Sequence, residues 1–168
     1  MTVELETDRL RLRPLNESDH EALVRFYADP QSTRFLGGTA SAADTWQWLL
    51  SMIGHWTLRG FGYFAFMEKS SSALCGAAGL IKHFDWPELE VGWRVMPEKQ
   101  HRGYATEAAR RVRDYAFDTL GAKTLVSYIA PGNAASIRVA ERLGAHHDGD
   151  ISLRGDPARV YRHPHPLN

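Results

Sequence analysis

Gln100-His101-Arg102-Gly103-Tyr104-Ala105 stands between a predicted strand and a long predicted helix. Backbone N–H groups at a helix start have no partner in the helix, and the helix dipole there favours an anion. Gly103 lets the main chain come close to a ligand. Ala105 keeps the first turn low, and Lys99 and Arg102 add positive charge. Together these residues describe a phosphate or pyrophosphate cradle. No Gly-Lys-Ser/Thr follows, so it is not a Walker A loop, and the glycine spacing is wrong for a dinucleotide fingerprint. A plain strand-to-helix turn with solvated charges remains the other reading of these six residues.

Outward from the loop, residues 89–96 alternate with period two. Leu89, Val91, Trp93 and Val95 share one face, and Glu90, Gly92, Arg94 and Met96 the other. Residues 62–69 are aromatic-rich and 74–81 small and apolar, which predicts an antiparallel meander with 89–96. Apolar spacing from Ala105 to Leu120 predicts a helix with Gly121 as its C-cap. A strand over 124–130 follows, then Pro131-Gly132, then a helix with Asn133 as N-cap that Gly144 closes. Toward the N-terminus, Leu10 and Leu12 alternate with arginines as a strand. Ser18 with Glu21 is a capping-box signal for a helix that ends at Asp29-Pro30. Ser41 with Asp44 starts a second helix, which carries Trp46, Trp48 and Trp56 and ends at Gly60. Residues 150–162 are expected to form a last hairpin, turned at Gly155-Asp156-Pro157. The order predicts an α/β (α+β) fold, one domain over residues 1–168.

The composition narrows the function. Twenty basic and twenty acidic residues give a net charge of zero, which disfavours a nucleic-acid binder held by bulk charge. The balance conceals a split: residues 94–113 carry +4 and residues 1–93 carry −4. Cys75 is the only cysteine, so no intramolecular disulfide or cysteine-based zinc site can form. His146-His147 and His163-Pro164-His165 lack zinc-site spacing, and no metal site is expected. There is no apolar leader and no run of about 18 apolar residues, so a cytoplasmic protein with no membrane partner is expected.

Strand, Q-x-x-G-x-A, long helix, strand, Asn-x-x-Ser, helix: this order resembles the GNAT superfamily of acetyl-CoA-dependent N-acetyltransferases. Within it the RimJ/RimL-type group is the nearest resemblance. It is carried by Leu5-Glu6-Thr7-Asp8-Arg9-Leu10-Arg11-Leu12-Arg13, Arg34-Phe35-Leu36-Gly37-Gly38, Glu90-Val91-Gly92-Trp93, Gly103-Tyr104-Ala105-Thr106-Glu107-Ala108 and Asn133-Ala134-Ala135-Ser136-Ile137-Arg138-Val139. The resemblance implies a mixed, mostly antiparallel central sheet of six to seven strands flanked by about four helices. It implies acetyl-CoA as co-substrate, no metal, and a V-shaped gap between 89–96 and 124–130. The pantetheine arm would run along the backbone of Val95 and Met96. The pyrophosphate would sit on the loop of Gln100, His101, Arg102, Gly103, Tyr104, Ala105 and Thr106, with Asn133 on the pantetheine amide.

The reaction needs a neutral amine, a polarised thioester carbonyl and a proton for the leaving thiolate. Glu90 is the candidate base, through water; pairing with Arg94 or holding the acceptor's ammonium are its other readings. Glu88 is the alternate. Many family members place an acidic tyrosine seven residues after the asparagine, but this chain has Ala140 there. Ser136 is the substitute acid and Tyr128 the second candidate. His55 and His83 could border the cleft, and Cys75 reads as buried and inert. The resemblance implies an N-acetyltransferase that acts on a peptide N-terminal α-amine or a small amine, by direct attack in a ternary complex. The missing tyrosine keeps a second reading open, a catalytically weak acyl-CoA-binding module. A homodimer is also left open.

Overall fold

Two apolar faces of one sheet organise the chain, as the computed structural model, which describes residues 2–167, makes plain. The strands are β1 (Leu5–Glu6), β2 (Leu10–Pro14), β3 (Tyr63–Glu68), β4 (Leu74–Ile81), β5 (Glu90–Val95), β6 (Val126–Ile129), β7 (His146–Leu153) and β8 (Asp156–Arg162). Their order in the sheet is β1-β2-β3-β4-β5-β6-β8-β7, and every pairing is antiparallel except β5 with β6. The helices are α1 (His20–Ala28), α2 (Pro30–Thr33), α3 (Ala42–Arg59), α4 (Tyr104–Asp114) and α5 (Ala134–Arg142). A π-type turn, Tyr115–Thr119, extends α4.

Helix α4 brings Tyr104, Ala108 and Val112 onto Leu10, Leu12, Phe64, Phe66, Leu80 and Val91. On the opposite face, α1 and α3 bring Leu23, Phe26, Tyr27, Leu49 and Met52 onto Tyr63, Ala65, Ala77, Ile81 and Met96. The period-two alternation of β5 sets this split: Leu89, Val91, Trp93 and Val95 join the α4 side and Met96 the α1/α3 side.

Eight strands and five helices stand among the described residues where six to seven and about four were expected, because two elements are too short to show periodicity. β1 is two residues long, and the reversal to β2 is held by Thr7 N–H on the Leu10 carbonyl (2.9 Å) and Leu10 N–H on Thr7 Oγ1 (2.9 Å). α2 is a single turn built on Asp29, whose carboxylate accepts from the N–H groups of Gln31 and Ser32, with Pro30 in the first turn. The first cap also moves. Asn16 and Asp19, not Ser18 and Glu21, form the capping box, because Arg13 grips Asp19 with two 2.8 Å bonds and fixes it there. The terminal hairpin starts at His146 rather than residue 150. It turns on Arg154 and Gly155, both at positive φ (53° and 90°), so Asp156 and Pro157 lie in the strand.

The sheet fails at one seam. β5 and β6 share a single pair, Glu90 opposite Val126, and then diverge. Near their junction Val126 N–H meets the Leu89 carbonyl (3.0 Å) and Ser127 Oγ donates to the Val91 carbonyl (2.6 Å). A parallel pair needs a crossover, and α4 supplies it.

Candidate active site

The main-chain groups along the open seam can be assigned. Met96 N–H donates to the Cys75 carbonyl (2.8 Å), so the even-numbered residues of β5 bond toward β4. By the alternation of an antiparallel ladder, Trp93 and Val95 turn their N–H and C=O groups toward the gap. The Met96 carbonyl accepts Lys99 N–H (2.8 Å). Of the expected pair, Val95 therefore carries open main-chain groups and Met96 has both of its own engaged within the protein.

At the wide end of the gap lies the loop. A 3-10 turn, Pro97–Lys99, leads to His101 (φ 60°) and Gly103 (φ 80°). Gly103 is the N-cap of α4 and offers no side-chain bond, and Glu107 N–H closes on its carbonyl at 3.1 Å. The N–H groups of Tyr104, Ala105 and Thr106 belong to the first turn and have no acceptor in the helix. Gln100, His101, Arg102 and Gly103 are exposed. Arg9 staples this start from behind. It donates to the Arg102 carbonyl (3.0 Å) and to Glu107 (2.7 Å), and it lies 4.6 Å from the Tyr104 ring centre. Tyr104 in turn bonds Glu68, whose carboxyl is lowered to about 2 by Ser71, Tyr104 and Lys99. A groove of about 550 Å³ along α4 adjoins the loop and is bordered by Arg9, Thr106, Arg110 and Arg142.

The +4 segment does not converge on the loop. Lys99 is bound to Glu68 (3.2 Å), Arg111 to the Glu6 carbonyl (3.2 Å), and Arg113 to Asp114 and the Leu143 carbonyl. Arg94 points into the protein. Arg102 remains at the cradle, with Arg110 one side of the groove.

A second cavity, about 100 Å³, opens where β5 leaves β6 and is lined by Glu90, Arg94, Tyr63, Tyr128, Asn133 and Ser136. Phe35, on the loop after α2, closes one wall and reaches the Pro131-Gly132 turn. Glu90 is half-buried and accepts the Trp86 indole N–H at 2.6 Å. Burial pushes its carboxyl up to about 7, while Trp86 and the Tyr128 main chain pull the other way. Glu90 does not pair with Arg94. Glu88 is held by two 2.9 Å bonds from Arg162, which lower its pKa and make it a poor proton acceptor.

Ser136 and Asn133 meet at the start of α5. Asn133 Oδ1 accepts Ser136 N–H (3.2 Å), so its carbonyl caps the helix and only its NH₂ is free to serve a ligand. Ser136 lines the cavity. Tyr128 Oη accepts Glu88 N–H (3.1 Å), and burial raises its pKa. Ala140 is fully buried against Ile129, Ala145 and Tyr161, so that position does not border the cavity.

Tyr63 and Trp86 were not expected at the site, nor was the closing of Tyr27, Trp48 and Tyr63 around Arg94. Tyr63 is over Gly92, where a methyl group would come within 2.4 Å of its hydroxyl. The aromatic richness of 62–69 was the available signal. Trp86, in an irregular segment, gave none. His55 is structural, its two nitrogens bonded to the Phe61 carbonyl (2.8 Å) and Lys82 N–H (3.0 Å). His83 packs edge-on against Trp86, outside the cavity. Cys75 is buried. No group of three or more metal-ligating side chains occurs among the described residues, and no helix among them is long and apolar enough to cross a membrane.

Residues 9–146 match the family profile described as "Acetyltransferase (GNAT) domain". The crystal structure of an acetyltransferase from Agrobacterium tumefaciens is similar, with 35% identity, a TM-score of 0.88, and 96% of this chain and 94% of that one covered. The protein YkkB of Bacillus subtilis is 30% identical over 94% of this chain and 93% of its own length. The ribosomal-protein-S5-alanine acetyltransferase of Vibrio fischeri shares the fold at 18% identity, with a TM-score of 0.73 and coverage of 98% and 97%.

Proposed function

This chain belongs to the GNAT family of acetyl-CoA-dependent N-acetyltransferases, and we propose that it acetylates a primary amine by direct attack in a ternary complex, with Glu90 as base and Ser136 as donor to the leaving thiolate. The observation that supports this assignment is the sharing of one cavity, at the splayed seam, by a carboxyl raised to about 7 and a helix-start hydroxyl.

The residues present fit the co-substrate. The unpaired N–H groups of Tyr104, Ala105 and Thr106 suit a pyrophosphate, with Arg102 beside them. Val95 offers main-chain bonds to the pantetheine arm, and the Asn133 NH₂ a further donor. Bound acetyl-CoA supplies the acyl group as an activated thioester.

The rest is done by the chain. Glu90 accepts a proton from the incoming ammonium through water, which leaves the amine nucleophilic. The same proton acceptance neutralises a carboxylate that burial disfavours, so the transfer relieves a strained charge. The Val95 N–H, on the open edge of β5, would stabilise the oxygen charge that builds as the N–C bond forms. Ser136, in the first turn of α5, hydrogen-bonds the sulfur as the C–S bond breaks, and the helix start favours that negative charge. The acceptor is a peptide N-terminal α-amine or a small amine.

Release of free CoA thiol, measured over a panel of amines, tests the proposal. Turnover that falls at least tenfold in both Glu90→Gln and Ser136→Ala, with calorimetric CoA affinity retained, is expected. CoA binding without thiol release on any amine would instead identify an acyl-CoA-binding module.

A further inference from the structure

Arg94 stands on the same face of β5 as Glu90, four residues on, and lines the same cavity. Its guanidinium carbon lies 4.5 Å from the Trp48 ring centre, 5.2 Å from Tyr63 and 5.6 Å from Tyr27. Its Nε is buried without a hydrogen-bond partner, and it forms no salt bridge with any described carboxylate. Desolvation alone acts on its charge and lowers its pKa to about 10.

That arrangement is costly. Ring faces attract a cation but accept none of its N–H groups in plane, so the buried Nε stays unmet and the cage offers the rest of the fork no acceptor. A buried charge without a counter-ion is worse for stability than an apolar residue of similar volume. Arg9, Arg13 and Arg162, by contrast, have carboxylate partners in Glu107, Asp19 and Glu88. Packing between α1, α3 and the sheet would be served as well by methionine. What an arginine adds is a partly dry, forked cation, pre-positioned by three rings, facing a cavity whose other polar end is a proton acceptor.

We propose that Arg94 anchors a carboxylate carried by the acceptor, so that this enzyme acts on amino-acid-type substrates in preference to amines that lack a negative group. The assignment rests on the acetyltransferase reading of the site. Strand geometry sets the two Cα atoms roughly 13 Å apart. Two long side chains narrow that span, so that the ammonium meets Glu90 and the carboxylate meets Arg94.

The test uses matched acceptors, amino acids and dipeptides offered as free acids and as carboxamides, with the wild type, Arg94→Met and Arg94→Lys. The wild type should favour free acids by about tenfold or more in kcat/KM. Arg94→Met should bring the ratio near one through KM, and Arg94→Lys should fall between, with KM for acetyl-CoA unchanged. Equal losses on acids and amides, or no preference in the wild type, would overturn the assignment. Calorimetry of the same acids and amides on the CoA-loaded protein separates the two proposals. Acid binding that depends on Arg94, without turnover, would keep the anchor and remove the acetyltransferase mechanism; no selective acid binding would remove the anchor. The melting temperature of Arg94→Met should stay level or rise, whereas a packing role predicts a fall. If Arg94→Met does not fold, Arg94→Lys carries the kinetic comparison.

Discussion

The Trp86 indole N–H donates to Glu90 Oε2 at 2.6 Å, inside a cavity whose walls push that carboxyl up to about 7. The bond favours the charged form, so it opposes burial. In the wild type, kcat/KM should rise with pH through about 7 and then level as Glu90 ionises. Trp86→Phe removes the opposing bond and should move that rise to higher pH. A pH–rate profile of both proteins checks this, and an unshifted profile would place the titration elsewhere.

Two desolvated groups tilt stability in opposite directions. Between the ordinary 4.5 of Glu90 and its folded value of about 7, the folded protein holds a proton the unfolded chain has lost. Stability therefore falls as pH rises through that window, by up to about 3 kcal/mol. His163 Nε2 lies 2.9 Å from Ser127 Oγ, and burial, with Arg113, lowers its pKa from 6.5 to about 4. Here the unfolded chain takes the proton first, so stability falls as pH drops from 6.5 to about 4. The slopes cancel over their shared range. Glu90→Gln should be more stable than wild type above pH 7 and should lose stability on acidification from 6.5. His163→Gln should show the reverse slope. Melting temperature against pH reads both.

Ser136 and Asn133 should separate cleanly. Ser136 lines the cavity and its N–H, not its hydroxyl, is what Asn133 caps, so Ser136→Ala should lower kcat with little change in melting temperature. Asn133→Ala removes the cap and should cost about 1 kcal/mol of stability. Thermal melts beside steady-state kinetics would show whether hydroxyl and cap have these distinct roles.

Gly103 sits at φ 80° with Arg9 Nη2 about to touch any side chain added there, at 3.5 Å from a Cβ. Gly103→Asp brings a left-handed non-glycine residue at a cost of about 1–2 kcal/mol and a negative charge at the anion site. CoA affinity should fall by at least about tenfold while the protein still folds. Calorimetry decides, and retained affinity would move the pyrophosphate off this loop.

Much of this was legible in the sequence because the deciding signals are local. Gly103, Asn133 and the alternation of 89–96 each act through their own backbone, so Glu90, Gly103 and Ser136 could be named before any contact was known. Burial is not local. That Glu88 is taken by Arg162, 74 residues away, or that Arg94 lies among Tyr27, Trp48 and Tyr63, depends on helices folding over the sheet. The positive charge of residues 94–113 disperses for the same reason. A run of arginines on a helix points around its circumference, and Arg111 and Arg113 find carbonyls on different neighbours. Short elements such as β1 and α2 rest on one or two bonds and carry no pattern to detect.

The seam between β5 and β6 has a mechanical meaning. A sheet resists tearing through its ladder, and here the ladder is interrupted after one pair, with the Ser127 hydroxyl as a rivet at the closed end. The block of β6, β8 and β7 is thus joined to the other five strands as a leaf is to a hinge. A molecule lying in the crack would bond to both lips and stiffen it. Amide exchange in β6 and β8 should then slow most on loading, and the tightness of the cleft would be set by its occupant more than by the protein.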